Sequence, residues 1–263
     1  MCEGGRNRLA RRFGALGTRV AVLVLARLAL ASGAAVPAHD LLLAADSAWH
    51  PIEEGVISLR AVVRERDGTA AASGLDVYVK GSDKVLCVFR EGRQQGRRIL
   101  VVGSRVWLIV PGSKRPVAVS ANQRLLGAAS VADVARLRLA DEFQGSPRSG
   151  PELVGSTPCW VLDLTAKSPR ASYASGTLWI GQEDRLPRRL RLALRSGKEA
   201  KEILFKVFRR DGGRAVLAEM EIRHLLAHER GEVTVLEFLG NRHVPLDAAI
   251  FAPDGARSFS GVP

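Results

Sequence analysis

The sequence predicts an α+β, mainly β fold. It is a strongly curved antiparallel half-barrel of about eleven strands, with an N-terminal helix and a helical insert acting as a lid. Three observations predict it. Apolar and polar residues alternate through most of the chain beyond residue 54, in runs broken by Gly-containing turns roughly every 8–12 residues, the mark of an antiparallel sheet. The runs fall into two blocks, five and then six. A helix-spaced stretch precedes the first block, and an Ala- and Leu-rich stretch without Pro lies between the two. About eleven strands are too many for a flat open sheet, so the sheet must curl, and the helices fit its concave side.

The elements follow in order. Arg6, Arg8, Arg11, Arg12 and Arg19 form a basic region, VAVLVLARLAL (20–30) a short apolar run interrupted by Arg27, and ASGAAVPA (31–38) a small-residue end with Val36 and Ala38 at the −3 and −1 positions. This is the layout of a secretory signal peptide over residues 1–38, too short and interrupted for a good membrane span. Cleavage after Ala34 and a retained anchor stay open as alternatives. Residues 39–263 are then expected to be one exported, periplasmic, monomeric domain, since no internal repeat or linker divides them.

DLLLAADSAWH (40–50) spaces Leu41, Leu42, Ala45 and Trp49 as a helix does, and Pro51 ends it. Strand-like runs follow at 55–66, 75–80, 84–90, 97–102 and 106–110. In the first, Ile57, Leu59, Ala61 and Val63 point one way and Ser58, Arg60 and Arg64 the other, with Val62 the exception. SANQRLLGAASVADVARLRLADE (120–142) reads as one or two short helices broken at Gly127, and 144–155 as a Ser/Pro/Gly loop. Strands resume at 159–165, 176–181, 188–195, 202–209, 215–224 and 232–239.

The formal charge of +12 admits nucleic acid, an anionic membrane or a leader peptide. Residues 1–38 hold six arginines and one glutamate, a net +5, so +7 remains without them. An exported chain rarely meets nucleic acid, and no aromatics interleave with the basic positions as a stacking platform, so no nucleic-acid partner is expected. Arg189, Arg191 and Arg195 share one strand face opposite Leu190, Leu192 and Leu194. That face is either solvated or a basic wall for lipid headgroups or an acidic partner.

Cys87 and Cys159 lie in separate strand-like runs, and strand geometry rarely meets disulfide distances by chance, so two buried thiols are expected. HExxH, GxSxG, CxxC, P-loop and GxGxxG patterns are all missing, so neither an enzyme nor a cofactor is indicated. His224 and His228 are spaced i,i+4, but across a strand end rather than along a helix, which argues against a metal site. One apolar set remains: Leu59, Val63, Val77, Val79, Phe89, Val101, Trp107, Val161, Phe205 and Val235. In a sandwich these residues are core. In a half-barrel they line a cleft for acyl chains, and periodicity alone does not separate the two.

The segment VGSRVWLIVPGSKRP (102–116) is the most distinctive. Gly103, Trp107, Leu108 and Pro111, then Arg115, then Ser120, Arg124 and Gly127, then Asp133, together resemble the outer-membrane lipoprotein-sorting family, the LolA-like periplasmic carriers, and within it the branch associated with RND-type exporters. Lys80-Gly81-Ser82-Asp83-Lys84 with Phe89, TPCWVLDL (157–164), Thr177-Leu178-Trp179-Ile180 with Leu186-Pro187, and TVLEF (234–238) are similar to further segments of that branch. The resemblance runs from about residue 45 to 255. It departs after Asp133, where this chain carries Arg136 and Arg138 in place of an aromatic and acidic residues.

The resemblance implies a half-barrel with a helical lid, ferrying a lipoprotein or lipid toward the outer membrane with an RND-type transporter as possible partner. Leu59, Val63, Val77, Val79, Phe89, Val101, Trp107 and Val161 are the expected acyl contacts. Lys114, Arg115, Arg124 and Asp133 are expected at the cleft mouth. A lipid-sensing regulatory module on the same fold is the alternative.

Overall fold

The computed structural model describes Met1 and residues 36–65, 67–120, 124–135, 137–169, 171–226 and 231–261. The chain divides into two units, Met1–Pro37 and Ala38–Pro263, and the second holds every element below. The signal peptide expected over 1–38 lies almost wholly outside the described residues, as does His228.

Helix α1 spans Ala38–Trp49 and buries Leu41, Leu42, Ala45, Ala48 and Trp49, one apolar stripe at helical spacing. Asp40 sits in its first turn, where the helix end favours negative charge. Five long strands follow: β1 (Glu54–Arg64), β2 (Ala70–Lys80), β3 (Lys84–Phe89), β4 (Arg98–Val102) and β5 (Arg105–Ile109). Then come short pieces: β6 (Val117–Val119), β7 (Arg124–Leu126), β8 (Ala129–Ser130), helices α2 (Val131–Ala135) and α3 (Leu139–Glu142), β9 (Phe143–Pro147) and β10 (Glu152–Val154). Six long strands complete the sheet: β11 (Thr157–Ala166), β12 (Ser175–Gly181), β13 (Pro187–Ala193), β14 (Glu199–Asp211), β15 (Arg214–His224) and β16 (Val233–Arg242). A 3₁₀ turn (Ala248–Phe251) and α4 (Pro253–Ser258) close the chain.

The eleven expected strands are all present in their two blocks, and the short strands β6 to β10 are additional. Two local expectations are corrected. Gly127 does not break a helix; it turns the β7–β8 hairpin with φ +52, a left-handed conformation that glycine adopts without a Cβ penalty. The segment 144–155 is not all loop, because β9 and β10 both pair with β11. Two short helices do form after the hairpin.

Fourteen strands make one antiparallel sheet, ordered β10-β11-β12-β13-β14-β15-β16-β1-β2-β3-β4-β5-β6, with β9 also on β11. The first and last long strands, β1 and β16, pair in its middle. The sheet is curved and not closed: β6 ends one side, β9 and β10 the other. The chain must therefore pass from one edge to the opposite edge between β6 and β9. The segment between β6 and β9 makes that passage, and its described residues lie over an open face.

Directly opposed residues of an antiparallel ladder share a face, so registers sort the side chains. One inner row crosses seven strands: Val63, Thr234, Ile222, Ile203, Leu190, Leu178 and Leu162. Helix α1 lies on this face. A Cβ at Gly145 would meet Leu42 at 3.6 Å and Leu162 at 3.5 Å, and the Trp49 and Phe205 rings meet edge-on at 5.3 Å. The outer face of β1–β5 is covered instead by the C-terminal segment. There Leu246, Ile250, Phe251 and Ala256 pack with Val56, Tyr78, Leu86, Val88, Leu100 and Ile109, joined by Trp107 and Phe259.

Candidate functional site

Six of the expected acyl contacts fall on the inner face. Leu59 opposes Leu75, which opposes Phe89; Val63 opposes Thr234; Val77 opposes Cys87; and Val79 opposes Val85, which opposes Val101. All six are buried.

Two do not belong with them. Trp107 opposes Leu100, which opposes Leu86, and so points outward into the cluster under the C-terminal segment. Val161 opposes Trp179, and with Cys159 forms an outer cluster at the far side of the sheet. Each is an apolar residue on a strand whose other face is also apolar, so alternation gives no sign. Val235, opposite Val62, is likewise outward, whereas Phe205 is inward. Cys87 is inner and Cys159 outer, and both thiols are free and buried. Burial pushes Cys87 up to about 12, so it stays a protonated, inert small hydrophobe.

Residues 124–135 and 137–142 form a roof over the inner face. Among the described residues, the β7–β8 hairpin is a separate two-stranded sheet, with no ladder to the large one. Side chains hold it instead. Thr234 accepts from the Ala128 N–H at 2.8 Å and donates to the Leu126 carbonyl at 3.1 Å. The Gln94 amide donates to the Leu125 carbonyl at 3.2 Å.

Farther along, Asp46 of α1 accepts from the Leu139 and Ala140 N–H groups, each at 2.8 Å, capping the start of α3 from outside. Burial pushes its carboxyl up to about 6 despite those bonds. His50, one turn on, bonds the Leu137 carbonyl through Nε2 at 2.9 Å. Burial drives its ring down to about 3, with Arg138 adding to the effect, so it is a neutral donor at physiological pH. Lys167 donates to the Ala140 carbonyl at 2.7 Å.

Asp133 is not at a mouth; it is fully buried. Its carboxylate accepts from the Ser130 N–H at 2.7 Å, the Ser130 hydroxyl at 2.8 Å and the Tyr173 hydroxyl at 2.8 Å, and pairs with Lys201 of β14. The Asp133 N–H reaches back toward the Ser130 hydroxyl at 3.4 Å. Ser130-x-x-Asp133 is thus a capping box that starts α2, a signal readable in the sequence. Lys201 was also legible by parity: it sits two residues before Ile203 and four before Phe205, on the apolar side of its strand.

The other expected mouth residues are not brought together. Arg124 is exposed on the hairpin and bonds Glu232 at 3.2 Å. Lys114 and Arg115 are exposed in the β5–β6 turn, where the Lys114 carbonyl accepts from Arg257 of the outer C-terminal segment at 2.7 Å. The basic face of β13 is partly neutralised. Arg189 and Arg191 both bond Glu202, at 2.7 and 3.1 Å. Burial pushes that carboxyl up, but the two arginines outweigh it and hold it below its usual range. Among the described residues, no three His, Cys, Asp or Glu side chains gather to hold a metal ion, and no helix is long and apolar enough to cross a membrane.

A family model described as "uncharacterized protein-like" matches residues 81–254. The chain belongs to this family. No curated protein matches it in sequence. Solved structures show that this family member has the LolA-like fold. A LolA superfamily protein from Nitrosomonas europaea superposes with a TM-score of 0.75 at 24% identity, covering 84% of this chain and 99% of that one. A DUF1329 family protein from Desulfovibrio piger gives 0.70 at 20%, covering 82% and 96%. An outer membrane lipoprotein-sorting protein domain from Vibrio parahaemolyticus gives 0.69 at 14%, covering 83% and 97%.

Proposed function

We propose that the chain is a periplasmic carrier that shelters the acyl chains of a lipid or lipoprotein between the inner face and its roof, for transfer toward the outer membrane. The observation that carries this reading is the roof. An apolar layer lies over an apolar sheet face, tied by side-chain hydrogen bonds rather than by strand pairing, and so is able to part from it without breaking the sheet. The leader-like N-terminus, and the lipoprotein-sorting domain of Vibrio parahaemolyticus that shares the fold, support the same reading.

Leu59, Val63, Val77, Val79, Phe89 and Val101 are the proposed acyl contacts. Each methylene withdrawn from water contributes about 0.8 kcal/mol, so one long chain supplies enough free energy without covalent chemistry. Lys114, Arg115 and Arg124 are exposed cations suited to a headgroup or an acidic partner surface, and an RND-type transporter is the partner proposed for the handover. The carrier works as a monomer and performs no catalysis.

Native mass spectrometry of the protein from the periplasm, with solvent extraction of what is bound, tests this. A bound phospholipid, other lipid or acylated peptide is expected and names the cargo. An empty folded protein that also takes up no fluorescent fatty acid leaves the inner face as ordinary core and sinks the reading.

A further inference from the structure

Lys201 is the anomaly of the inner face. Its ammonium is buried on β14, two residues from Ile203 and directly across from Leu192 of β13 and His224 of β15. An ammonium in such surroundings needs a counter-charge, because its desolvation is otherwise uncompensated. That counter-charge comes from the roof: Asp133, with Ser130 and Tyr173 bonding the same carboxylate. The sheet supplies the cation and the separable layer supplies the anion. A purely structural tie has no need of this arrangement, since an apolar pair at such a position is commonly as stable or more so.

We propose that Lys201 is an anion anchor for the cargo, and that a carboxylate or phosphate at the polar end of an acyl lipid takes the place of Asp133 when the roof lifts. This rests on the carrier reading. Parting the roof from the sheet carries Asp133 away and strands Lys201. A neutral lipid leaves it stranded, while an anionic one restores the pair with a charge-assisted bond in a site shielded from water. The closed state then holds its own surrogate ligand, and the site selects acyl compounds that carry a negative charge.

The test compares three ligands with the same chain, laurate, dodecyl phosphate and methyl laurate, in displacement of a neutral fluorescent acyl probe from the mature protein. One or both anionic ligands are expected to bind at least about tenfold tighter than the ester. The tighter of the two distinguishes a carboxylate from a phosphate headgroup. Lys201→Met is expected to erase the preference while ester binding stays within about threefold. Should that variant not fold, Asp133→Asn serves: it leaves Lys201 in place, removes the competing carboxylate, and must raise the anion preference above wild type. Equal binding of all three ligands, or a preference unmoved in Asp133→Asn, overturns the anchor and leaves the carrier standing. Binding of none of the three overturns both.

Discussion

Asp46 on α1 and His50 just past its end hold adjacent parts of the roof and respond to pH in opposite senses. Asp46 is raised from 3.8 to about 6, so the stability it contributes is complete below its unfolded value and is lost as pH rises through about 6. His50 is lowered from 6.5 to about 3, so its contribution is complete above 6.5 and is lost as pH falls toward 3. Between pH 4 and 6 the two slopes offset. Chemical denaturation across that window is expected to show little net change from this pair in the wild type. Asp46→Asn leaves the histidine slope alone, so stability should climb with pH by up to about 1.4 kcal/mol per unit, and His50→Gln, which keeps a donor for the Leu137 carbonyl, should give the reverse. Identical profiles in all three proteins would show that neither group's pKa differs between the folded and unfolded states. Residues on the outer face provide a contrast. Leu100, fully buried beneath the C-terminal segment, should cost about 2–5 kcal/mol as Leu100→Ala with no change in lipid uptake once stability is matched, because it faces away from the proposed site. A selective loss of uptake would place the site on the wrong face.

Among the elements, the β7–β8 hairpin depends on one glycine. A Cβ at Gly127 would lie 2.5 Å from Thr234 Oγ1 and 2.6 Å from Val63 Cγ1, at a φ that L residues resist. Gly127→Ala is therefore expected to lift the hairpin off the sheet. Hydrogen exchange at 124–130 should accelerate strongly while β1 and β16 stay protected. Thr234→Val should act in the same direction, since it leaves the Ala128 N–H without its acceptor at a cost of about 1–3 kcal/mol. Unchanged exchange in both variants would mean that the hairpin is held by other contacts. The long strands and α1 were legible because each carries several turns of a period. The pieces β6 to β10 hold two to five residues apiece, too few for a period to register, and β9 contains a Gly and a Pro that read as loop. Of these, β6, β9 and β10 pair because long strands already present an edge, whereas β7 and β8 pair only with each other.

At the scale of the whole molecule, the topology makes the roof. With β1 and β16 paired at the centre, the middle of the chain has to travel between the two free edges, and the shortest cover for that path is the concave side. The opposite face needs its own cover, and the C-terminal segment provides it. Leu246 binds Glu54 and Lys80, Arg98 bonds the Phe259 carbonyl at 3.0 Å, and Phe259 meets Tyr78 edge-on at 4.8 Å. Truncation after Arg242 is expected to bare Tyr78, Leu86 and Leu100, giving a protein that binds a hydrophobic dye and self-associates. A truncated chain that remains monomeric and dye-silent would show that the outer cluster closes without the segment.

Much of this protein was determined by local pattern. Two-residue alternation sets the eleven long strands and their two blocks, a helical stripe sets α1, and the inner positions Leu59, Val63, Val77 and Val79 follow from alternation with polar neighbours, whereas Phe89 and Val101 take their side from pairing with Leu75 and Val85. Alternation has no sign where both faces are apolar, so Trp107 and Val161 were assigned to the wrong side; only the pairing registers decide it. The role of Asp133 was decided in the same way. Its sequence neighbours are consistent with a surface acid, but Lys201 comes from a strand 68 residues away, and no local rule brings that ammonium to it. Contacts between distant parts of the chain depend on the order of strands in the sheet, and that order is a property of the packed whole.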